Sequence, residues 1–214
     1  MAIEKNSLSI LLGYLFILIS QLIIQKIFWS SSILYILLTI IGIIGALLLL
    51  FLNHKFSYQN LVEYQKKPKK SHFIIWGFIG IGIVLISQLI IGAIWHFTTH
   101  STAISQNTNQ LLTIFQSFPI YGLDIIIASP IIEELIFRKV FFGNLTYYFN
   151  PIISGIISST LFAIAHHDGH FIAYFVMGCI FELIYYKAKD LRASMISHMG
   201  LNLFILLFFE LKFI

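Results

Sequence analysis

Long apolar runs separated by short polar segments make up most of the chain. Residues 7–24, 31–52 and 73–95 are three such runs. A helix rises about 1.5 Å per residue, so ~20 mostly apolar residues cross a ~30 Å hydrocarbon core. Each of the three reads as a membrane span. A fourth, 119–137, carries Asp124, Glu133 and Glu134 inside it. Residues 151–165, 171–186 and 194–209 are the fifth to seventh. These last three are short and are expected to be tilted helices packed on one another. The fold class expected is all-α: a polytopic transmembrane helical bundle of about seven spans with a polar intramembrane cavity. No small-residue cleavage site follows the first run, which is read as an uncleaved anchor.

Charge orients the runs. Residues 54–71 include Lys66-Lys67-Pro68-Lys69-Lys70, residues 97–117 contain no Lys or Arg, and residues 187–192 are short and basic. Alternating seven crossings puts eleven of the 13 Lys and Arg on one side and leaves Lys26 and Lys212 on the other. Positive residues stay in the cytoplasm. The chain is therefore expected to be a multi-pass cell-membrane protein with its N-terminus cytoplasmic. The lysine cluster reads as a topology signal, and it would also suit anionic lipid. Composition agrees: 58% hydrophobic and 10% charged, against roughly 45–50% and about 25% in soluble domains. Cys179 is the single cysteine, which rules out an internal disulfide. The chain shows no domain linker and no repeat. Within it, residues 1–110 hold the first three spans and their linkers, and 111–214 hold the chemistry.

Ionisable groups inside a span cost ~2.5–3.5 kcal/mol each at the helix centre on insertion scales, so they are functional candidates. Glu134 and Arg138 are i and i+4, acid first, and can pair on one helix face. Glu133 lies about 100° away and has no cation at i±4, which leaves it for chemistry; the plain alternative is a charge cluster closing the span. Phe162 and His166 share a face at i, i+4, and a buried, hydrogen-bonded histidine is the competing reading. His198 and Asn202 repeat the spacing, with polar glue between helices as the alternative. His167, Asp168 and His170 read as a solvated outer turn able to take an adventitious metal. Asp124 and Glu182 are further intramembrane acids, read as packing or cavity residues. On an ideal helix Asp124, nine residues before Glu133, faces roughly the opposite way.

Glu133 and His166 are nearly symmetric about Asn150-Pro151, so an antiparallel hairpin brings them to one level. His198 lies about a turn and a half beyond Arg192. It reaches that level if 139–150 runs outside the lipid core, as Arg138-Lys139 suggests. The clusters are then expected to converge near the cytoplasmic third of the membrane.

Together the clusters resemble the CPBP family: type II CAAX prenyl endopeptidases and related bacteriocin-processing or self-immunity proteins. Its pattern, E-E-x-x-x-R, F-x-x-x-H and H-x-x-x-N, is matched by Glu133, Glu134 and Arg138, by Phe162 and His166, and by His198 and Asn202. Each motif is weak alone; all three in order are specific. The likeness covers roughly 111–202, where no motif position departs from the pattern. It implies a helical membrane protease acting on membrane-associated or lipidated peptides, with Glu133, Glu134, Arg138, His166, His198 and Asn202 as the catalytic set. Two mechanisms come with it. In one, Glu133 and His166 activate water while His198 and Asn202 hold the oxyanion. In the other, a metalloendopeptidase, Glu133, His166 and His198 bind Zn2+. The zinc-protease spacing H-E-x-x-H is missing, and the metal-free route is favoured. The partners expected are a peptide or protein substrate and the bilayer, with no nucleic acid. Two other functions compete: a bacteriocin immunity protein acting by proteolysis or receptor masking, and a proton-coupled transporter using the same acids and histidines.

Overall fold

A computed structural model describes residues 2–64, 71–100 and 105–210. The lysines at 66–70 and Lys212 lie outside the described residues. Every described element is helical. In chain order these are α1 (Ala2–Ile27), α2 (Leu34–Lys55), the short α3 (Leu61–Tyr64), α4 (His72–Thr99) and α5 (Gln106–Ser117). A composite run follows: a 3-10 turn Pro119–Tyr121, a π-helical segment π1 (Asp124–Ala128), α6 (Ser129–Glu133), a second π-helical segment π2 (Glu134–Phe142) and α7 (Gly143–Leu145). The chain closes with α8 (Pro151–Ala165), α9 (Phe171–Ala188) and α10 (Leu191–Glu210). Among the described residues, five helices are long and apolar enough to span a bilayer, namely α1, α2, α4, α9 and α10; α8 is a shorter apolar helix. With the composite run these account for the seven apolar segments of the sequence.

Most of α1 and α4 faces outward, whereas α9 and α10 are inner helices. Small residues permit the closest approach. A Cβ at Gly77 or Gly80 of α4 would strike Ile196 or Ser197 of α10, and Ser197 Oγ donates to the Gly77 carbonyl at 2.9 Å. This is the small-residue packing that lets membrane helices touch through their backbones. Ser158 Oγ of α8 donates to the Phe137 carbonyl at 2.7 Å, tying α8 to π2.

Three features depart from the sequence reading. The polar linker 97–117 contains α5, capped by Ser105, whose Oγ accepts from Thr108 N at 3.1 Å. Leu112 of α5 is buried in a small cluster with Ile125 and Leu206. The fourth run does not stop at Arg138-Lys139. It continues helically to Leu145, because both cations are satisfied sideways within the protein. Arg138 is fully buried, and Lys139 is 4% exposed. Lys139 Nζ donates to the Tyr58 carbonyl at 2.6 Å and pairs with Glu63. Lastly, Asp124 does not face away from Glu133, since both line one cavity. A π-helical turn holds an extra residue, which sets the following face back by about 100°. Segment π1 starts at Asp124 and precedes Glu133.

One end of the bundle collects Asn53, Tyr58, Glu63, Lys139, Lys189, Asp190 and Arg192 around a polar recess. At the other end α5 meets the turn after α8, where Asn107 N donates to Asp168 Oδ2 at 3.4 Å.

Candidate active site

A cavity of about 300 Å³ opens between the composite run, α5, α8, α9 and α10. Glu133, His166, His198 and Asn202 all line it, together with Tyr14, Asp124 and Tyr174. The three sequence clusters therefore meet in one place. Glu133 and His198 each sit six residues from the basic end, at Lys139 and Arg192, which is about 9 Å of helix rise. The cavity extends from them away from that end, towards Asn107, Thr108 and Leu111 of α5.

Glu134 is the fully buried centre of the supporting network. Its Oε1 accepts from His198 Nδ1 at 3.0 Å, and its Oε2 lies 3.4 Å from Arg138 Nε. A carboxylate cannot donate, so Nδ1 of His198 carries the proton and the Nε2 edge is turned to Glu133, whose Oε2 is 3.8 Å away. Arg138 also donates from Nη2 to the Gly178 carbonyl at 3.3 Å. Its guanidinium lies 4.4 Å from the Phe162 ring centre and 5.2 Å from that of Phe181, a cation–π arrangement effective in a desolvated setting. Phe181 stacks on His198 with ring centres 4.6 Å apart. The ion pair that the i, i+4 spacing indicates is thus present, and it does a second job the spacing did not reveal: it orients His198.

His166 is the C-cap of α8. Its Nδ1 meets the Phe162 carbonyl at 2.8 Å. A carbonyl only accepts, so Nδ1 holds the proton and Nε2 keeps its lone pair in the neutral ring. The Phe162 ring meets it edge-on at 4.5 Å, and the Tyr174 ring stacks at 3.9 Å. Asn202 Nδ2 donates to the Ile125 carbonyl of π1 at 2.8 Å, which leaves its second N–H. Glu133 Oε2 is buried without a hydrogen-bond partner among the described residues. It is the one motif carboxylate not already spent on structure.

Among the described residues, no three His, Cys, Asp or Glu side chains are grouped to hold a metal ion. His166 turns one nitrogen to the main chain and its face to Tyr174, while Glu133 approaches His198. Both histidines keep an Nε2 edge free with Nδ1 tethered, which is also how metal-ligating histidines are held, so Glu133, His166 and His198 could serve as Zn2+ ligands only with their three donor atoms drawn together.

Residues missed by the sequence reading are Tyr14, Tyr121, Asn107, Thr108 and Tyr174, all of which line the cavity. None stands at a motif spacing. His167, Asp168 and His170 do form the turn after α8, but Asp168 is not simply solvated. It accepts from His170 N at 2.9 Å and from Tyr174 Oη at 3.2 Å.

A helical membrane bundle with a carboxylate and two histidines around an internal cavity agrees with a membrane-embedded protease, and it is the relatives of the chain that give this class. Residues 115–204 match the family described as type II CAAX prenyl endopeptidase Rce1-like. The chain is 33% identical over 189 residues to the membrane-embedded CAAX protease MroQ of Staphylococcus aureus (strain USA300), covering 84% of this chain and 75% of that protein. It is 31% identical over 170 residues to YdiL of Bacillus subtilis (strain 168), described as a candidate membrane peptidase, covering 79% of this chain and 70% of that protein. A third relative, the UPF0177 protein YxdF of Lactococcus lactis subsp. lactis (strain IL1403), is 34% identical over 108 residues, 50% of this chain and 56% of its own. No solved structure matches. The chain belongs to the CPBP family of Rce1-like CAAX proteases.

Proposed function

We propose that the chain is an intramembrane endopeptidase that cleaves membrane-associated or lipidated peptides with a water activated by Glu133 and His166. One observation carries this reading: Glu133, His166, His198 and Asn202 line a single cavity. Water held between the Glu133 carboxylate and His166 Nε2 gives its proton to Glu133 and attacks the scissile carbonyl. The oxyanion takes hydrogen bonds from the free Asn202 N–H and from His198 Nε2–H, the latter requiring the doubly protonated ring with its Nδ1–H on Glu134. Glu133 then passes the proton to the departing amine as the C–N bond breaks, so one water is consumed and no net proton is released at the site. The Glu134–Arg138 pair stays outside the chemistry and holds His198.

The test is cleavage of lipidated and unmodified membrane peptides by purified protein in detergent or bilayers. Glu133→Gln is expected to lower turnover by roughly 10²–10⁴-fold while the fold stays intact, the range for losing a positioned base. Thorough chelation is expected to spare turnover. Loss with chelator and rescue by added metal would replace the metal-free route, and a fully active Glu133→Gln would remove the peptidase assignment from this site.

A further inference from the structure

We infer that Tyr174 is a positioning residue for His166, and that it is itself held by the N-terminus of α5, the helix that roofs the cavity. The inference rests on His166 holding the attacking water through Nε2, as proposed above.

The bond from His166 Nδ1 to the Phe162 carbonyl fixes one atom of the imidazole. A single hydrogen bond leaves the ring plane free to swing about it, and Nε2, the working atom, lies across the ring from the tether. The face of Tyr174 removes that freedom: its ring centre is 3.9 Å from that of His166 and the planes are 24° apart. Phe162 closes the other side edge-on at 4.5 Å. The imidazole is thus caught between two rings with Nδ1 tethered.

The Tyr174 ring is pinned in turn through its hydroxyl. Tyr174 is 6% exposed. Its hydroxyl donates to Asp168 Oδ2 at 3.2 Å, accepts from Asn107 Nδ2 at 3.3 Å and shares a hydrogen bond with Ser105 Oγ at 2.9 Å. Ser105 is the N-cap of α5, and Asn107 lies in its first turn. Asp168 also accepts from the Asn107 backbone. Two separate chain segments, the N-terminus of α5 and the turn after α8, therefore converge on one hydroxyl at the start of α9. A phenylalanine would supply the same stacking face without these bonds. The hydroxyl makes the arrangement rigid, and it links the roof of the cavity to the histidine beneath it.

Two readouts test this, one independent of proteolysis. The first is kinetic. Tyr174→Leu removes the stacking face and is expected to lower kcat on the order of 10²-fold with KM little changed, the scale of a misplaced catalytic group. Tyr174→Phe restores the face and is expected to recover turnover to within about tenfold of the starting protein. In a His166→Ala background Tyr174→Leu should cost nothing further, because the two residues act as one unit. The second is 15N NMR of the ring of His166 in selectively labelled protein. The parent should show a single Nδ1–H tautomer with a ring-current shift from Tyr174. That shift should vanish in Tyr174→Leu, and the resonance should broaden in Tyr174→Phe as the ring loses its anchor. Because the spectrum needs no substrate, failure of the peptidase reading leaves this arm standing. An unchanged His166 resonance in Tyr174→Phe together with wild-type kcat would overturn the inference, including the case where Tyr174→Leu does not fold. A loss confined to KM would also overturn it, by making Tyr174 a wall that touches substrate.

Discussion

Glu134 Oε1 accepts a hydrogen bond from His198 Nδ1 at 3.0 Å while the same carboxylate sits 3.4 Å from Arg138. One buried acid thus serves an ion pair and a cavity-lining histidine together. Removing a single partner strands the others. Arg138→Ala leaves Glu134 charged in a dry interior, a change that costs about 3–5 kcal/mol, and it takes the cation from between Phe162 and Phe181. We expect Arg138→Ala to lower both the melting temperature in detergent and the yield of folded protein, with activity falling alongside. Glu134→Gln keeps an acceptor for His198 but strips the buried Arg138 of its counter-charge, so it too should lower stability. Wild-type stability of an inactive Arg138→Ala would instead assign Arg138 a chemical role.

Asn202 has two N–H groups and spends one on the Ile125 carbonyl at 2.8 Å. Asn202→Ala should therefore show two separable effects. Loss of an oxyanion donor is worth roughly 10²–10³ in kcat with substrate binding little altered. Loss of the link to π1 should cost about 1 kcal/mol of stability. A variant that melts earlier yet keeps its kcat would make Asn202 a structural tether alone.

Which parts of this architecture are legible in the sequence follows from helical period. Glu134 with Arg138, Phe162 with His166 and His198 with Asn202 are each one turn apart, so shared faces can be read directly. Segment length and apolarity mark the seven helical runs for the same reason. The π-helical segments are different. Asp124 reads as facing away from Glu133 only if every turn holds 3.6 residues, and π1 breaks that count. Lys139 reads as a membrane boundary because its partners, Tyr58 in a loop and Glu63 in α3, come from about 80 residues earlier in the chain. Helix α5 hides inside a Ser, Thr, Asn and Gln-rich linker because its apolar side is narrow. Tyr174 leaves no trace at all, since its contacts come from other segments of the chain.

Orientation follows from where the cations gather. Lys139, Lys189 and Arg192 border one polar recess, whereas α5 carries no Lys or Arg. The basic end is expected in the cytoplasm, which sets α5 and the roof of the cavity on the opposite side. Single cysteines at Lys187 and Asn109, both exposed, allow a direct check with an impermeant thiol reagent in intact cells. Asn109→Cys should label and Lys187→Cys should stay protected until the cells are opened. The reverse pattern would invert the topology.

Acid should loosen the roof before it harms the rest of the fold. Burial pushes the Asp168 carboxyl upward, but hydrogen bonds from the His170 N–H, the Ser105 hydroxyl, the Asn107 N–H and the Tyr174 hydroxyl outweigh it and hold Asp168 below the ordinary carboxylate range. A carboxyl whose folded value is depressed stabilises the folded state fully above its unfolded pKa, about 3.9. That contribution shrinks as pH falls below this point and is gone beneath the folded value. Asp168 ties the Asn107 backbone and the Tyr174 hydroxyl, so the loss should appear locally in α5. Hydrogen exchange, corrected for intrinsic rates, should show protection of the first α5 turn falling below about pH 4 while that of α10 persists. Asp168→Asn should show weakened α5 protection already at neutral pH, and further acidification should then change it little. Equal protection of α5 in Asp168→Asn and the parent at neutral pH would mean that the carboxylate does not hold the roof.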